Sequence, residues 1–273
     1  MSDPNHPGPA RADDAEFEHP LLDEAAAAEL VERLLDVEGF WIARHARLPF
    51  HTLGATNYYD ITANPARPYA RLAARYNPFL LAEFGPLYAA VAAALRERLG
   101  RPVAWLADTQ PATALPGFHI FGADPAFAAR EEHDVLHGDW FRQRDGEAFP
   151  GNPIHVDTAH LALGLAAQAR QAGDATPLAT LSFTLPLALP DGGAGMRLWD
   201  FGHEATRLDD RAAQQARLRR GPTRELAYRP GTLFLHSGTR YHQARGFPVR
   251  PGQYRITLQG HGAWLDGAWR LFW

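Results

Sequence analysis

The sequence predicts a mainly β protein with N-terminal helices, a double-stranded β-helix of the jelly-roll or cupin-like kind. Three observations predict it. After Arg101 short apolar runs alternate with Gly and Pro, as the strands and turns of a sandwich or barrel do. Before Arg101, two stretches carry apolar residues at helical spacing. A chain of 273 residues, 46% of them hydrophobic, suits one substantial core rather than two.

The start, MSDPNHPGPARADDAEFEHP, is polar and has no apolar core of a signal peptide. Residues 1–20 are therefore expected to be a disordered tail and residues 21–273 one domain, helical over about 21–100 and jelly roll over about 101–273. Leu22 to Val37 reads as a helix, with Leu30, Val31, Leu34 and Leu35 on one face and Gly39 as a stop. A second helical region is expected from Pro78, a suitable first residue, to Leu99, with Pro86 splitting it. The stretch between, around Tyr58, Pro65 and Pro68, reads as loop. The strand candidates that follow are PVAWLA, GFHIFG, NPIHVDTAH, LSFTLPLAL, GMRLWDF, GTLFLHSG, YRITLQG and AWRLFW. In LSFTLPLAL, Leu181, Phe183, Leu185, Leu187 and Leu189 share a face. Ala212 to Leu218 looks helical.

Composition removes several chemistries. Cysteine is absent, so disulfides, thiolate metal sites and a cysteine nucleophile are excluded. Every one of the 27 basic residues is Arg, which excludes a Schiff-base lysine and leaves Arg to meet any anionic group. The net charge of −4 with scattered Arg shows no basic stripe for nucleic acid. Glu83 interrupts the best apolar run, so no membrane span is expected. The expected partner is a small molecule and the default location is the cytoplasm; nothing in the residues sets an oligomeric state.

The 13 histidines leave ample material for a metal site. A facial triad for non-haem Fe(II) uses a His-x-Asp on one strand, where the period of two turns both side chains to one ion, and a His far downstream. His155-Val156-Asp157 fits the pair, and His242, after GTLFLHSG, fits the third ligand. A second pair, His137-Gly138-Asp139, competes. Gly138 and the charged flanks weaken it as a strand, and the spacing from HVD to LSFTLPLAL suits adjacent barrel strands, so His155/Asp157 is preferred and His137/Asp139 kept as the alternative. On YRITLQGHG, Arg255 and Thr257 share a face with Gln259, while Tyr254, Ile256 and Leu258 point the other way. That polar face is expected to line a cavity, with the Arg255 fork gripping a carboxylate and the Thr257 hydroxyl donating beside it.

Taken together, LPGFHIF, LSFTLPLALPDGGAGMRLWD, GTLFLHSG with His242, RITLQGHG, the terminal LFW and the earlier FGPLYAAVAAALRERLG resemble the small bacterial iron(II)/2-oxoglutarate oxygenases and halogenases that act on free amino acids such as lysine. The resemblance covers most of the chain after about Leu53. It implies a jelly roll, Fe(II), 2-oxoglutarate as co-substrate and O₂, with Arg255 holding the co-substrate. Halogenases of this group carry Gly or Ala where the carboxylate ligand would be. Both candidate pairs here keep Asp, which favours hydroxylation of a small polar metabolite, a free amino acid or derivative, with succinate and CO₂ as co-products. Two rivals remain open: a cupin-like metal enzyme that does not use 2-oxoglutarate, and a non-catalytic jelly-roll binding module with Trp264, Trp269 and Trp273 as an exposed platform.

Overall fold

Period-two patterning sorts the strand residues onto two faces, and the computed structural model shows what each face meets. It describes residues 16–44, 49–61, 69–122, 154–172, 178–191, 194–202, 217–218, 220–245 and 250–273. The strands are β1 (Phe17–Pro20), β2 (Ile42–Ala43), β3 (Phe50–Leu53), β4 (Val103–Trp105), β5 (Gly117–Phe121), β6 (Thr180–Ala188), β7 (Gly195–Gly202), β8 (Thr223–Ala227), β9 (Thr232–Ser237), β10 (Arg240–Ala244), β11 (Arg255–Leu265) and β12 (Ala268–Phe272). The larger sheet runs β1-β9-β6-β11-β5-β3-β2, with β12 beside β11 and β4 beside β12; the smaller runs β10-β7-β8. From β6 to β11 the chain passes between the sheets, β6 in the larger, β7 and β8 in the smaller, β9 back, β10 across, β11 back. That winding is a jelly roll.

Helices pack on both faces of the larger sheet. They are α1 (Glu24–Asp36), α2 (Asn57–Asp60), α3 (Tyr69–Leu99), α4 (Ala159–Ala162) and α5 (Leu165–Ala172). Asp23 caps α1 by accepting from the Ala26 N–H at 2.8 Å. The stripe Tyr76, Leu80, Phe84, Leu87, Tyr88, Val91 and Leu95 of α3 is buried with Leu181, Phe183, Leu185 and Leu187 of β6, Leu233 and Leu235 of β9, Phe118 and Ile120 of β5, and Ile256 and Leu258 of β11. At 31 residues α3 is long and apolar enough to cross a membrane by length and composition; here it supplies the main core.

Several expectations need correction. Phe17–Pro20, assigned to the tail, forms β1 and pairs antiparallel with β9. The second helix starts at Tyr69, so Pro78 lies inside it. An internal proline costs roughly 3 kcal/mol, which the buried stripe offsets. Asn77 beside it fastens the turn, donating to the Thr113 carbonyl at 2.9 Å and accepting from the Leu115 N–H at 3.0 Å. Pro86 does interrupt the helix: Phe84 leaves helical geometry at φ −125°, ψ 17°. Leu189 lies past the end of β6 and packs in a separate cluster with Met196, Leu198, Tyr228 and Phe234. His155 and Asp157 are not on a named strand; His155 makes an isolated bridge to His242. Of the expected helix at 212–218, only Arg217 and Leu218 are described, and both are helical.

The C-terminal tryptophans form no platform. β11 and β12 are joined through Asp266 and Gly267, both at positive φ (49° and 73°), the two-residue turn that an Asp-Gly pair favours. Trp264 and Trp269 pair across this hairpin with rings 5.7 Å apart, and Trp273 is fully buried. Its ring occupies the space a Cβ on Gly117 would need, so residue 117 must be glycine.

Candidate metal centre

The second face of the larger sheet is polar. Ser182 and Thr184 on β6, His236 on β9, His119 on β5, and Arg255, Gln259 and His261 on β11 look into one cavity of about 280 Å³. Met196 of β7 and His242 and Ala244 of β10 close it from the smaller sheet. Among the described residues it lies near the lower end of small-molecule sites, which run roughly 300–1,000 Å³.

Backbone pairing brings the candidate ligands together. The His155 N–H donates to the His242 carbonyl at 3.0 Å, and the His242 N–H returns the bond at 2.9 Å. The Asp157 N–H donates to the Gly238 carbonyl at 2.9 Å. The His155–Asp157 segment is thus laid along the β10 hairpin, extended enough to keep its period of two without being a strand. One ligand atom from each of His155, Asp157 and His242 lies within 4.8 Å of the others. His155 Nε2 is 3.9 Å from Asp157 Oδ1, and His242 Nε2 is 3.6 Å from Asp157 Oδ2. Both separations are too long for hydrogen bonds and are short enough that one ion at the usual ligand distance of about 2.1 Å would bridge them.

The protonation states suit a metal. His242 Nδ1 lies 3.0 Å from the Arg240 carbonyl, which only accepts, so Nδ1 carries the hydrogen and Nε2 keeps its lone pair for the cavity. Burial lowers the His242 imidazole to about 4, so it is neutral, as a ligand must be. Burial alone would raise the Asp157 carboxyl; the imidazoles of His242, His261, His155 and His236, which take up protons at the low pH where this carboxyl titrates, outweigh it and hold the group below its ordinary value, ionised. Two imidazole nitrogens and one carboxylate, without thiolate, form the donor set of a non-haem Fe(II) triad. The residues present fit that ion. The alternative pair, His137/Asp139, lies outside the described residues.

Arg255 is 3% exposed and lines the same cavity, its guanidinium 5.5 Å from the Phe121 ring centre and 6.0 Å from that of Tyr228. Gln259 lines the cavity beside it, whereas Thr257 does not; its Oγ1 accepts from Gln259 Nε2 at 3.1 Å. The parity predicted for β11 holds, since Ile256 and Leu258 are in the main core.

Reading the sequence missed several cavity groups, among them Tyr58, Ser182, His119, His236 and His261. Tyr58 donates to Asp157 Oδ1 at 2.6 Å and Ser182 donates to Asp157 Oδ2 at 2.5 Å. His119, His236 and His261 also line the site. For His261 a signal existed: it continues the odd-numbered face of β11 beyond Gln259. Ser182 falls on the even-numbered face of β6 by the same parity. Nothing local marks Tyr58, which reached the site through α2.

Burial, reinforced by Arg255 and Arg44, lowers His119 to about 3. A free imidazole has a pKa near 6.5. Between those values the unfolded chain binds a proton that the folded chain refuses, so stability falls as pH drops from about 6.5 toward 3, by up to roughly 1.4 kcal/mol per pH unit for this group. Thermal melts of metal-free protein between pH 7 and pH 4 should show a falling Tm, with a shallower slope in His119→Asn. Equal slopes in the two proteins would assign the acid sensitivity to other groups.

The winding of the strands and the His155–Asp157–His242 cluster define a jelly roll with a candidate metal centre. No family model matches the chain, and no curated protein matches it in sequence. Among solved structures it is similar to an N-substituted L-amino acid dioxygenase from Burkholderia ambifaria AMMD in complex with alpha-ketoglutarate, at TM-score 0.52 and 14% identity over 93% of this chain and 85% of the other. A second structure of that dioxygenase matches at TM-score 0.49 and 16% identity over 93% and 85%. The non-heme alpha ketoglutarate dependent epimerase SnoN from nogalamycin biosynthesis matches at TM-score 0.47 and 13% identity over 93% and 82%. The first of these likenesses concerns the fold: this chain folds as that dioxygenase does.

Proposed function

We propose that this chain is an Fe(II)- and 2-oxoglutarate-dependent dioxygenase that hydroxylates a small polar metabolite, a free amino acid or close derivative. The observation that carries this reading is the convergence of His155, Asp157 and His242 in a cavity whose wall also holds the buried Arg255. His155, Asp157 and His242 hold the metal. Arg255 offers its planar fork to the distal carboxylate of 2-oxoglutarate, at a site that excludes water and so strengthens the pairing. Bound iron(II) supplies activation of O₂ coupled to oxidative decarboxylation of the co-substrate. Asp157 occupies a metal position that a halide would otherwise take, which supports oxygen transfer over halogenation. Phe50, Tyr59 and Phe121 give the cavity an apolar wall that keeps competing water out.

The rivals are less well supported. A 2-oxoglutarate-independent cupin-like enzyme does not call for a carboxylate-binding arginine on the cavity wall, where Arg255 lies. A carbohydrate- or peptide-binding platform needs exposed tryptophans, and Trp264, Trp269 and Trp273 are buried. The amino-acid assignment rests on the resemblance in sequence, with support from the neighbour named as an N-substituted L-amino acid dioxygenase. The test is to incubate Fe(II)-loaded protein with 2-oxoglutarate, O₂, chloride and a panel of free and N-substituted amino acids, following succinate and product masses. One added oxygen on an amino acid is expected. A chlorinated product overturns the outcome, and succinate formation stimulated only by a peptide, nucleic acid or lipid overturns the substrate class.

A further inference from the structure

His261 is the one cavity histidine whose two ring nitrogens both meet hydroxyls that already serve Asp157. Its Nε2 lies 2.9 Å from Tyr58 Oη and its Nδ1 lies 3.0 Å from Ser182 Oγ. Tyr58 and Ser182 donate to the two different oxygens of the Asp157 carboxylate. The result is a closed ring of four side chains: carboxylate, phenol, imidazole, hydroxyl and back to the carboxylate. Four remote parts of the chain build it. Ser182 and His261 sit directly opposite each other on β6 and β11, so sheet register alone sets that contact. Tyr58 comes from α2, and its ring meets the His261 ring nearly edge-on at 5.5 Å. Three of these groups are largely withdrawn from water, Asp157 being 6% exposed, Ser182 4% and His261 8%, and Tyr58 is partly buried.

The geometry has a specific consequence. Each hydroxyl carries a single hydrogen and a neutral imidazole brings one N–H, so three hydrogens serve the four contacts. One ring nitrogen donates to a hydroxyl that donates on to Asp157, and the bare ring nitrogen shares the other hydroxyl's hydrogen with the second carboxylate oxygen. The one imidazole thus holds both hydroxyls at the carboxylate and restrains its rotation, with Asp157 Oδ1 and Oδ2 still near His155 Nε2 and His242 Nε2. On the reading of His155, Asp157 and His242 as the metal ligands, we infer that His261 is a positioning residue for the metal centre, acting through Tyr58 and Ser182 to orient the Asp157 carboxylate. Both its ring nitrogens meet hydroxyls, and it lies outside the ligand cluster of His155, Asp157 and His242.

The test titrates metal-free protein with Co(II) under anaerobic conditions and follows the visible Co(II) absorption, which reports ligand geometry as well as occupancy. The proteins compared are the wild type, His242→Ala, H261F, H261Q, Y58F/S182A and Y58F/S182A/H261F. H261F should weaken Co(II) binding about 10–100-fold, the usual cost of losing a group that orients a ligand, and change the absorption band. H261Q, whose amide offers a donor and an acceptor, should recover part of both. The double variant should lose about as much as H261F, and the triple no more than the double, because His261 acts only through the two hydroxyls. Wild-type Co(II) affinity and an unchanged band in H261F overturn the inference, and so does a triple variant whose loss is the sum of its parts. If H261F fails to fold by near-ultraviolet circular dichroism, Y58F/S182A decides, since it breaks the same links; wild-type affinity there overturns the inference. Failure of the wild type to take Co(II) at a site lost in His242→Ala overturns the metal reading itself. Binding that depends on His242 but not on His261 overturns the inference alone.

Discussion

Replacing His242 by alanine is expected to abolish Fe(II) binding and turnover together. The side chain is 6% exposed, its tautomer is set by the Arg240 carbonyl, and its Nε2 faces Asp157 at 3.6 Å. Two remaining protein ligands hold a labile divalent ion poorly. The fold should survive, because the backbone bonds between residues 155 and 242 do not involve the ring. The matched measurement is metal content after anaerobic Fe(II) loading and desalting. The same assay separates the two candidate pairs: Asp157→Ala should come through without iron, while Asp139→Ala should keep it. A metal-loaded Asp157→Ala protein and an empty Asp139→Ala protein would transfer the assignment to His137/Asp139. Full activity of His242→Ala would remove that residue from the triad.

The second large effect is expected at Arg255. Arg255→Gln should raise the 2-oxoglutarate requirement by one to several orders of magnitude, because a buried carboxylate loses a charge-assisted bidentate partner worth roughly 2–5 kcal/mol. Iron content should stay near that of the wild type, since Arg255 is no ligand. Arg255→Lys should recover little, because an ammonium cannot reproduce the planar fork or its stacking over Phe121 and Tyr228. The weak visible charge-transfer band that forms when 2-oxoglutarate is added to Fe(II)-loaded protein under anaerobic conditions gives the readout without turnover. A titration midpoint unmoved by Arg255→Gln would assign the co-substrate contact to another arginine, Arg245 or Arg250 being nearest in sequence.

The split between those two residues and the groups around them shows where a linear sequence carries information. β11 was legible because a strand has a period of two: Arg255 and Gln259 on one face and Ile256 and Leu258 on the other follow from parity alone. The same rule places Leu181, Phe183, Leu185 and Leu187 in the core, and it extends to Ser182 and His261 once the strands are known to be neighbours. The Asp-Gly turn before β12 and the kink near Pro86 are likewise local chemistry, set by positive φ and by a missing N–H. Other features depended on remote partners. Phe17–Pro20 is a strand because β9 offers it an edge, and the helix runs back to Tyr69 because Tyr69, Ala73 and Tyr76 find buried surroundings.

By itself, then, the sequence determined the jelly-roll class, the excluded chemistries, the two faces of each long strand, and a short set of residues able to ligate a metal or meet a carboxylate. Periodicity and residue type are local properties, and they suffice for that. Only the tertiary structure decided that His155 and His242 are joined by backbone bonds, that Thr257 turns to Gln259 while Arg255 and Gln259 face the cavity, and that Tyr58, Ser182 and His261 close around Asp157. Those contacts join residues as many as 203 positions apart. Their existence depends on the order and register of strands, which is set by burying one shared core rather than by any segment's own pattern.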